Sequence, residues 1–171
     1  MILSGFKWRF SWLPRVKIRK ECCWLLSNIC AGPVHQVLQL RDAGFLPRFV
    51  AAARDDEFCV RKEAAFAIAN ASERQEVLPE LMDAGCMEVM RELLDSHDGK
   101  MQHLGLCFGL NAAKGLRELK DVGDYARQFY EAFGHEDVER LCDDGASESV
   151  REREGTGAHR DVGRVRRWPL G

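Results

Sequence analysis

One block of the sequence recurs almost unchanged after forty-two residues. The block holds two basic residues, a carboxylate, an aromatic residue and an asparagine. Its first copy is Arg19, Lys20, Glu21, Trp24 and Asn28, and its second copy is Arg61, Lys62, Glu63, Phe66 and Asn70. A partial third copy places Asn111 forty-one residues beyond Asn70, with Cys107 in the aromatic position. A chain with such a period folds as a row of similar units, each of which buries its apolar side only against its neighbours.

The repeat length and the hydrophobic pattern together predict the fold class. A period of about 40 to 47 residues, with two or three helices per unit, is typical of armadillo and HEAT solenoids. Apolar residues in 17–31 follow the i, i+3, i+4, i+7 spacing of an amphipathic helix. They are Ile18, Cys22, Leu25, Leu26 and Ile29. We therefore expect an all-α, right-handed armadillo-repeat solenoid of about two and a half to three repeats.

Gly, Pro and polar turns divide the chain into predicted helices. The pattern predicts helices at 17–31, 33–42, 45–54, 57–71, 74–84, 86–95, 101–113 and 125–133, with a last short helix near 136–142. An irregular stretch is expected between 113 and 123. The repeats then occupy 17–142, as the third helix of a first unit, one full unit, later units and an incomplete last repeat. Residues 1–16 fit no repeat position, and residues 143–171, rich in Gly, Arg and Glu, are expected to be disordered.

Charge and hydropathy argue against two classes of partner. A formal net charge of −2 does not fit a dedicated nucleic-acid binder. The basic residues Arg164, Arg166 and Arg167 are better explained as part of a solvated tail. Residues 22–40 carry no formal charge, but Gly32-Pro33 in their middle would break a membrane-spanning helix. We expect neither nucleic acid nor a membrane as a partner.

The seven cysteines do not suggest a disulfide framework or a metal site. Their number is odd, no pair has Cys-x-x-Cys spacing, and no histidine lies at metal-ligand spacing. We expect reduced thiols that mostly pack as small apolar side chains, and no metal or cofactor. No nucleophile, base and orienting group can be assembled from the sequence, since Cys142 with His135 is as readily a chance pair. The chain is therefore not expected to be an enzyme.

Two rows of repeated residues are expected to lie side by side on one surface. Residues at i, i+3 and i+7 share one face of a helix, so Glu21, Trp24 and Asn28 form a row. One unit later the same row recurs. It consists of Glu63, Phe66 and Asn70. Stacking of the repeats places the two rows next to each other on the inner curve of the solenoid.

Packing alone is the simpler explanation for a single tryptophan on a helix. Other residues of the same helix, Leu25 and Ile29, are expected to point into the core, so burial does not require an aromatic residue on another face. Because the aromatic residue and the asparagine recur together, the sequence favours a binding surface over packing. Phe66 is the weaker copy, since it lacks an indole N–H and has a weaker π face.

Such a surface suits a basic peptide in extended conformation. A carboxamide carries both a donor and an acceptor, so an asparagine can bond the main chain of a peptide without reading its side chains. An aromatic face accepts the stem of Lys or Arg and attracts its cation, for about 0.5 to 1 kcal/mol at an exposed site. Carboxylates add about 0.2 to 1 kcal/mol for an exposed pair. Affinity must then come from several weak pockets that engage one chain.

These motifs resemble the importin alpha family of nuclear-import adaptors. The segments IRKECCWLLSNICAG (18–32) and VRKEAAFAIANAS (60–72) are similar to the third-helix motif of that family, with its W-x-x-x-N array. The segments DAGFLPRFV and DAGCMEVMRELL look like its junctions between first and second helices. YARQFYEAFGHEDVERL (125–141) resembles its incomplete last repeat. The resemblance covers about 17–142 and is to the carboxy-terminal quarter of the family.

The resemblance implies a binding site as well as a fold. The two copies correspond to the seventh and eighth repeats, which form much of the family's minor site for nuclear localisation signals. The residues implied to contact such a signal are Glu21, Trp24, Asn28, Glu63, Phe66 and Asn70. Asn111 corresponds to a late repeat, where the family contacts its export receptor.

We therefore expect a nuclear import adaptor, or a fragment of one, present in cytoplasm and nucleus and binding cargo with basic localisation signals. Contact with an export receptor through the last repeats is also implied. The sequence contains neither the family's basic amino-terminal arm nor its earlier repeats, so direct recruitment of importin beta is not expected. An armadillo scaffold with another partner is the alternative, because the fold alone fixes no function.

Overall fold

A computed structural model describes residues 15–118, 123–125, 127–129, 131–132 and 134, with the backbone alone at 117 and 118. The predicted helix near 136–142 and the tail 143–171 lie outside the described residues. So do residues 1–14 of the predicted non-repeat segment. None of the described helices is both long and apolar enough to cross a membrane.

All regular secondary structure in the described part of the chain is helical, as predicted. The helices are α1 (Val16–Cys30), α2 (Val34–Asp42), α3 (Leu46–Asp55), α4 (Phe58–Ala71), α5 (Leu78–Asp83), α6 (Cys86–Leu94) and α7 (Gly99–Glu118), with a 3-10 turn at Gln75–Val77 before α5. Further helical residues lie at 123–125 and 127–129. Gly44 and Gly85 end α2 and α5 at equivalent positions, with φ of 71° and 80° that favour glycine.

The three long helices form one stack. Helix α4 packs against α1 on one side and against α7 on the other, while α3 packs behind α4 and α6 packs behind α7. Ala64, Ala65 and Ala67 are fully buried, and their small side chains allow the neighbouring helices to approach closely. The core between these layers is filled by large side chains such as Phe49 and Phe108, which are also fully buried.

Two predicted helix boundaries are wrong. The predicted helix 74–84 is divided, because Pro79 has no backbone N–H with which to bond Gln75 four residues earlier, and the chain makes a 3-10 turn before α5. Helix α7 continues to Glu118 instead of ending at 113. Gly115 lies inside α7, where an added Cβ would overlap the Leu78 side chain, so this glycine permits a close helix contact.

The expectation that Leu25 points into the core is also wrong. Leu25 is 56% exposed, and Ile18, two turns earlier on the same face of α1, is 42% exposed. Their equivalents on α4, Val60 and Ala67, are fully buried, because that face of α4 packs against α1. Among the described residues no helix lies on the equivalent side of α1, so Ile18 and Leu25 stay exposed.

Candidate functional site

Helices α1 and α4 bring the two predicted rows next to each other. We call the six residues Glu21, Trp24, Asn28, Glu63, Phe66 and Asn70 the strip. Glu21 is exposed, and the side chains of Trp24 and Phe66 are half-buried. Phe66 packs partly against the core. Because α1 and α4 pack directly, the two aromatic residues occupy matching positions on neighbouring helices.

The asparagines of the repeated block make different hydrogen bonds. Asn28 is half-buried, and its Nδ2 donates to Trp24 O at 2.9 Å within its own helix. Asn70 is 4% exposed, and its Nδ2 donates to Ser27 O of α1 at 3.0 Å. The Oδ1 atom of Asn70 is buried and accepts no hydrogen bond from any described residue. Asn70 is therefore tied to the neighbouring helix by its nitrogen, while its oxygen is unpartnered.

The third asparagine repeats the bond made by the second. Asn111 is 9% exposed, and its Nδ2 donates to Ala69 O at 3.3 Å and to Ser72 Oγ at 3.0 Å. The aromatic position of this unit holds Cys107, which is 2% exposed and lies 3.4 Å from His103 Nε2. The aromatic row of the strip therefore ends at Phe66 among the described residues.

Several side-chain hydrogen bonds near the ends of the long helices come from residues that the sequence analysis missed. Ser72 Oγ donates to Ala69 O at 2.7 Å, as Ser27 Oγ does to Trp24 O at 2.8 Å. Arg74 Nη2 donates to Gly32 O at 3.1 Å, across the boundary between two units. No repeated residue type marks Arg74, so only the packed structure identifies it.

The two carboxylates of the strip differ in burial: Glu21 is exposed and Glu63 is half-buried. Burial raises the pKa of Glu63, and the nearby Glu21 carboxylate raises it further, while Lys20 and Lys62 act in the opposite direction. Lys20 Nζ lies 3.4 Å from Glu21 Oε1, in an exposed pair. A partly buried carboxylate beside a second carboxylate is a place where an added cation is stabilised.

Two ion pairs join successive units, and each takes a basic residue of the repeated block, although Arg19 and Lys62 hold different positions in that block. Arg19 makes a bidentate pair with Asp56, with Nε to Oδ2 and Nη2 to Oδ1 both at 2.8 Å. Lys62 Nζ lies 2.9 Å from Asp98 Oδ2. Asp56 and Asp98 are forty-two residues apart and each precedes a long helix, a repeat that the sequence analysis did not use.

The aspartates of these pairs have pKa values below their usual range. Burial raises the pKa of Asp56, but hydrogen bonds from Arg19 and from the Glu57 N–H, with the charge of Arg19, outweigh that effect. The pKa of Asp98 is lowered chiefly by the hydrogen bond from Lys62, and also by the N–H groups of Lys100 and Met101. Both aspartates therefore stay ionised at neutral pH.

Cysteines of the described part do not form a metal site. No group of three or more His, Cys, Asp or Glu side chains in that part could hold a metal ion. Cys23, Cys30 and Cys86 are fully buried. Burial raises the pKa of Cys23 and of Cys30 to about 12, so these thiols stay protonated. Cys59 is exposed and Cys22 is half-buried.

The sequence is similar to part of one curated protein. Importin subunit alpha-5 of Arabidopsis thaliana is 33% identical over 136 residues, which cover 77% of this chain and 26% of that protein. The chain therefore spans about a quarter of the length of this relative. No protein-family model matches the sequence.

Solved structures share the fold. A designed armadillo repeat protein is 26% identical with a TM-score of 0.58, over 80% of this chain and 60% of that chain. Another, in complex with the peptide (KR)4, is 21% identical with a TM-score of 0.56, over 87% and 72% of the two chains. The predicted fold class is thus confirmed: the chain is an armadillo-repeat solenoid, similar in sequence to part of an importin alpha.

Proposed function

We propose that this chain binds basic nuclear localisation signal peptides, in extended conformation, along the strip. The observation that carries the proposal is the recurrence of an aromatic residue, an asparagine and a glutamate at matching positions on two directly packed helices. Trp24 and Phe66 would accept the stems of Lys or Arg side chains, and Asn28 would bond the peptide main chain. The similarity to part of an importin alpha supports this class of ligand.

The distribution of charge also supports a cationic ligand. Asp56 holds Arg19 and Asp98 holds Lys62, while Arg61 Nε donates to Ala53 O at 2.9 Å. Three of the four repeated basic residues are thus engaged in contacts with a neighbouring helix or with the turn before the next long helix. Among the described residues, the cations that lower the pKa of Glu63 are Lys20 and the already paired Lys62. A basic peptide would supply the missing positive charge.

The proposed role is that of an adaptor acting by binding, without catalysis, in cytoplasm and nucleus. Its cargo would be proteins that carry basic localisation signals. Asn111 would lie in a region that contacts an export receptor. A scaffold for a different extended peptide is the second candidate, since the armadillo fold serves as a platform whatever its ligand.

Titration of a labelled peptide with two consecutive basic residues, at low and high salt, tests the proposal. We expect saturable binding that weakens at high salt. The double variant Trp24→Ala with Asn28→Ala should lose at least about ten-fold in affinity. Phe58→Ala is the matched control, because Phe58 is exposed on α4 outside the strip. Equal losses in both variants, or equal binding of an acidic peptide, would contradict the proposal.

A further inference from the structure

The hydrogen bonds of Asn70 and Asn111 repeat with the unit. Asn70 Nδ2 donates to Ser27 O, and Asn111 Nδ2 donates to Ala69 O. Each acceptor is the residue just before the asparagine of the preceding long helix, since Ser27 precedes Asn28 and Ala69 precedes Asn70. The two bonds are therefore equivalent contacts between successive long helices, near the carboxyl end of the accepting helix.

Asn28 makes no such contact with another helix among the described residues. Among the described residues no helix precedes α1, and the Asn28 Nδ2 bonds its own helix at Trp24 O. That bond can be exchanged for one to a peptide carbonyl without moving a helix. For Asn70, the same exchange would release the bond that joins α4 to α1 and would leave Ser27 O without this donor in a buried place.

We infer that Asn70 and Asn111 are positioning residues, whose amide nitrogens hold each long helix in register against the preceding one. In this assignment Asn28 is the asparagine of the strip whose Nδ2 can exchange its bond within α1 for one to a peptide carbonyl. The Oδ1 atom of Asn70 is unpartnered but buried, so it is not open to a peptide on the surface. The inference deepens the proposed function and rests on it for the ligand, but the structural role of the two bonds stands independently.

The register, which is the position of α1 along α4, matters because it sets the distance between the two aromatic residues of the strip. Trp24 lies on α1 and Phe66 lies on α4, so a shift of α1 along α4 changes the distance between them. A peptide with two basic residues must fit both pockets at once and senses that distance. A peptide with one basic residue occupies a single pocket and does not.

Three alanine variants separate the roles. Asn70→Ala and Asn111→Ala should each lower the melting temperature by about 2 to 8 °C, since each removes a buried hydrogen bond, whereas Asn28→Ala should change it by no more than about 1 °C. Asn111→Ala is informative because its unit has Cys107 in place of an aromatic residue. Equal melting temperatures in all three variants would overturn the inference, and so would a loss in Asn28→Ala as large as in Asn70→Ala.

Two measurements keep the inference testable if a variant fails to fold. In the unaltered protein, side-chain amide protons of Asn70 and Asn111 should exchange with solvent at least about ten-fold more slowly than those of Asn28. In Asn70→Ala, the affinity advantage of the two-residue peptide over the one-residue peptide should shrink about three-fold or more. Equal exchange at the three asparagines, or an unchanged advantage, would overturn it. If no basic peptide binds, the proposed function fails, while stability and exchange still decide the positioning role.

Discussion

Glu63 shows how a single residue of the strip responds to its surroundings. Burial and the neighbouring Glu21 carboxylate favour its neutral form and raise its pKa. For an acid whose pKa is raised by folding, ionisation costs the folded state free energy as pH rises from the unfolded pKa through the folded pKa. A cation placed on the strip has the opposite effect, because it stabilises the carboxylate.

Glu63→Gln therefore has two expected effects of opposite sign. The variant should match the wild type in stability at low pH and become equal or more stable as pH rises through the titration of Glu63. Its affinity for a basic peptide at neutral pH should fall about two- to five-fold, since one weak ion pair is lost. Chemical denaturation over a range of pH measures the stability, and peptide titration measures the affinity. A variant that is less stable at neutral pH and binds normally would contradict this account.

Phe66→Trp should strengthen peptide binding. The second row then carries an indole, whose π face attracts a cation more strongly than that of phenylalanine. We expect affinity to rise about two- to three-fold for a peptide with two basic residues and to be unchanged for a neutral peptide of equal length. Phe58→Trp is the control, because it adds an indole to the same helix away from the strip. Equal gains in both variants would show that the strip is not the site.

Single residues also mark the limit of prediction from the sequence. The repeat identified the six strip residues, because equivalent positions on equivalent helices can be aligned without coordinates. The partner of Asn70 could not be predicted, since Ser27 O is forty-three residues away and its position depends on how α1 and α4 pack. Leu25 was misplaced for the same reason: its helical period is correct, but the neighbour that would bury it is absent from the described residues.

The ion pairs act between elements. Asp56 is joined to Arg19, and both side chains are largely buried. A carboxyl group whose pKa is lowered by folding adds stability above its unfolded pKa and loses that contribution as pH falls through its folded pKa. We expect Asp56→Asn to be less stable than the wild type at neutral pH and equally stable in strong acid. Urea denaturation at both pH values checks this, and a deficit that persists in acid would contradict it.

The boundary of α7 explains a wrong prediction and supplies an experiment. The sequence pattern predicted an irregular stretch after 113, but α7 continues, and Gly115 allows it to lie close to Leu78. Gly115→Ala should cost about 1 to 3 kcal/mol of unfolding free energy, because the added methyl group overpacks that contact. Gly99→Ala is the matched control at the start of the same helix, where an added Cβ meets nothing within 4 Å. Equal stability of the two variants would contradict the proposed close contact.

At the scale of the whole fold, the repeat length predicted the fold class and the all-helical content of the described residues, since a period of this kind admits few architectures. The stacking of α1 and α4 places the two aromatic residues of the strip side by side, because each of these described helices carries one of them. The proposed charge complementarity between Glu21, Glu63 and a basic peptide would then depend on the assembled stack.

The most direct test of peptide binding on the strip follows individual side chains by NMR. A basic extended peptide is titrated into isotope-labelled protein, with an acidic peptide of equal length as the control. Peptide binding on the strip predicts saturable shifts of the Trp24 indole N–H, the Asn28 carboxamide and the Phe66 ring with the basic peptide alone. Unchanged resonances at these three residues, with shifts elsewhere or none at all, would contradict it.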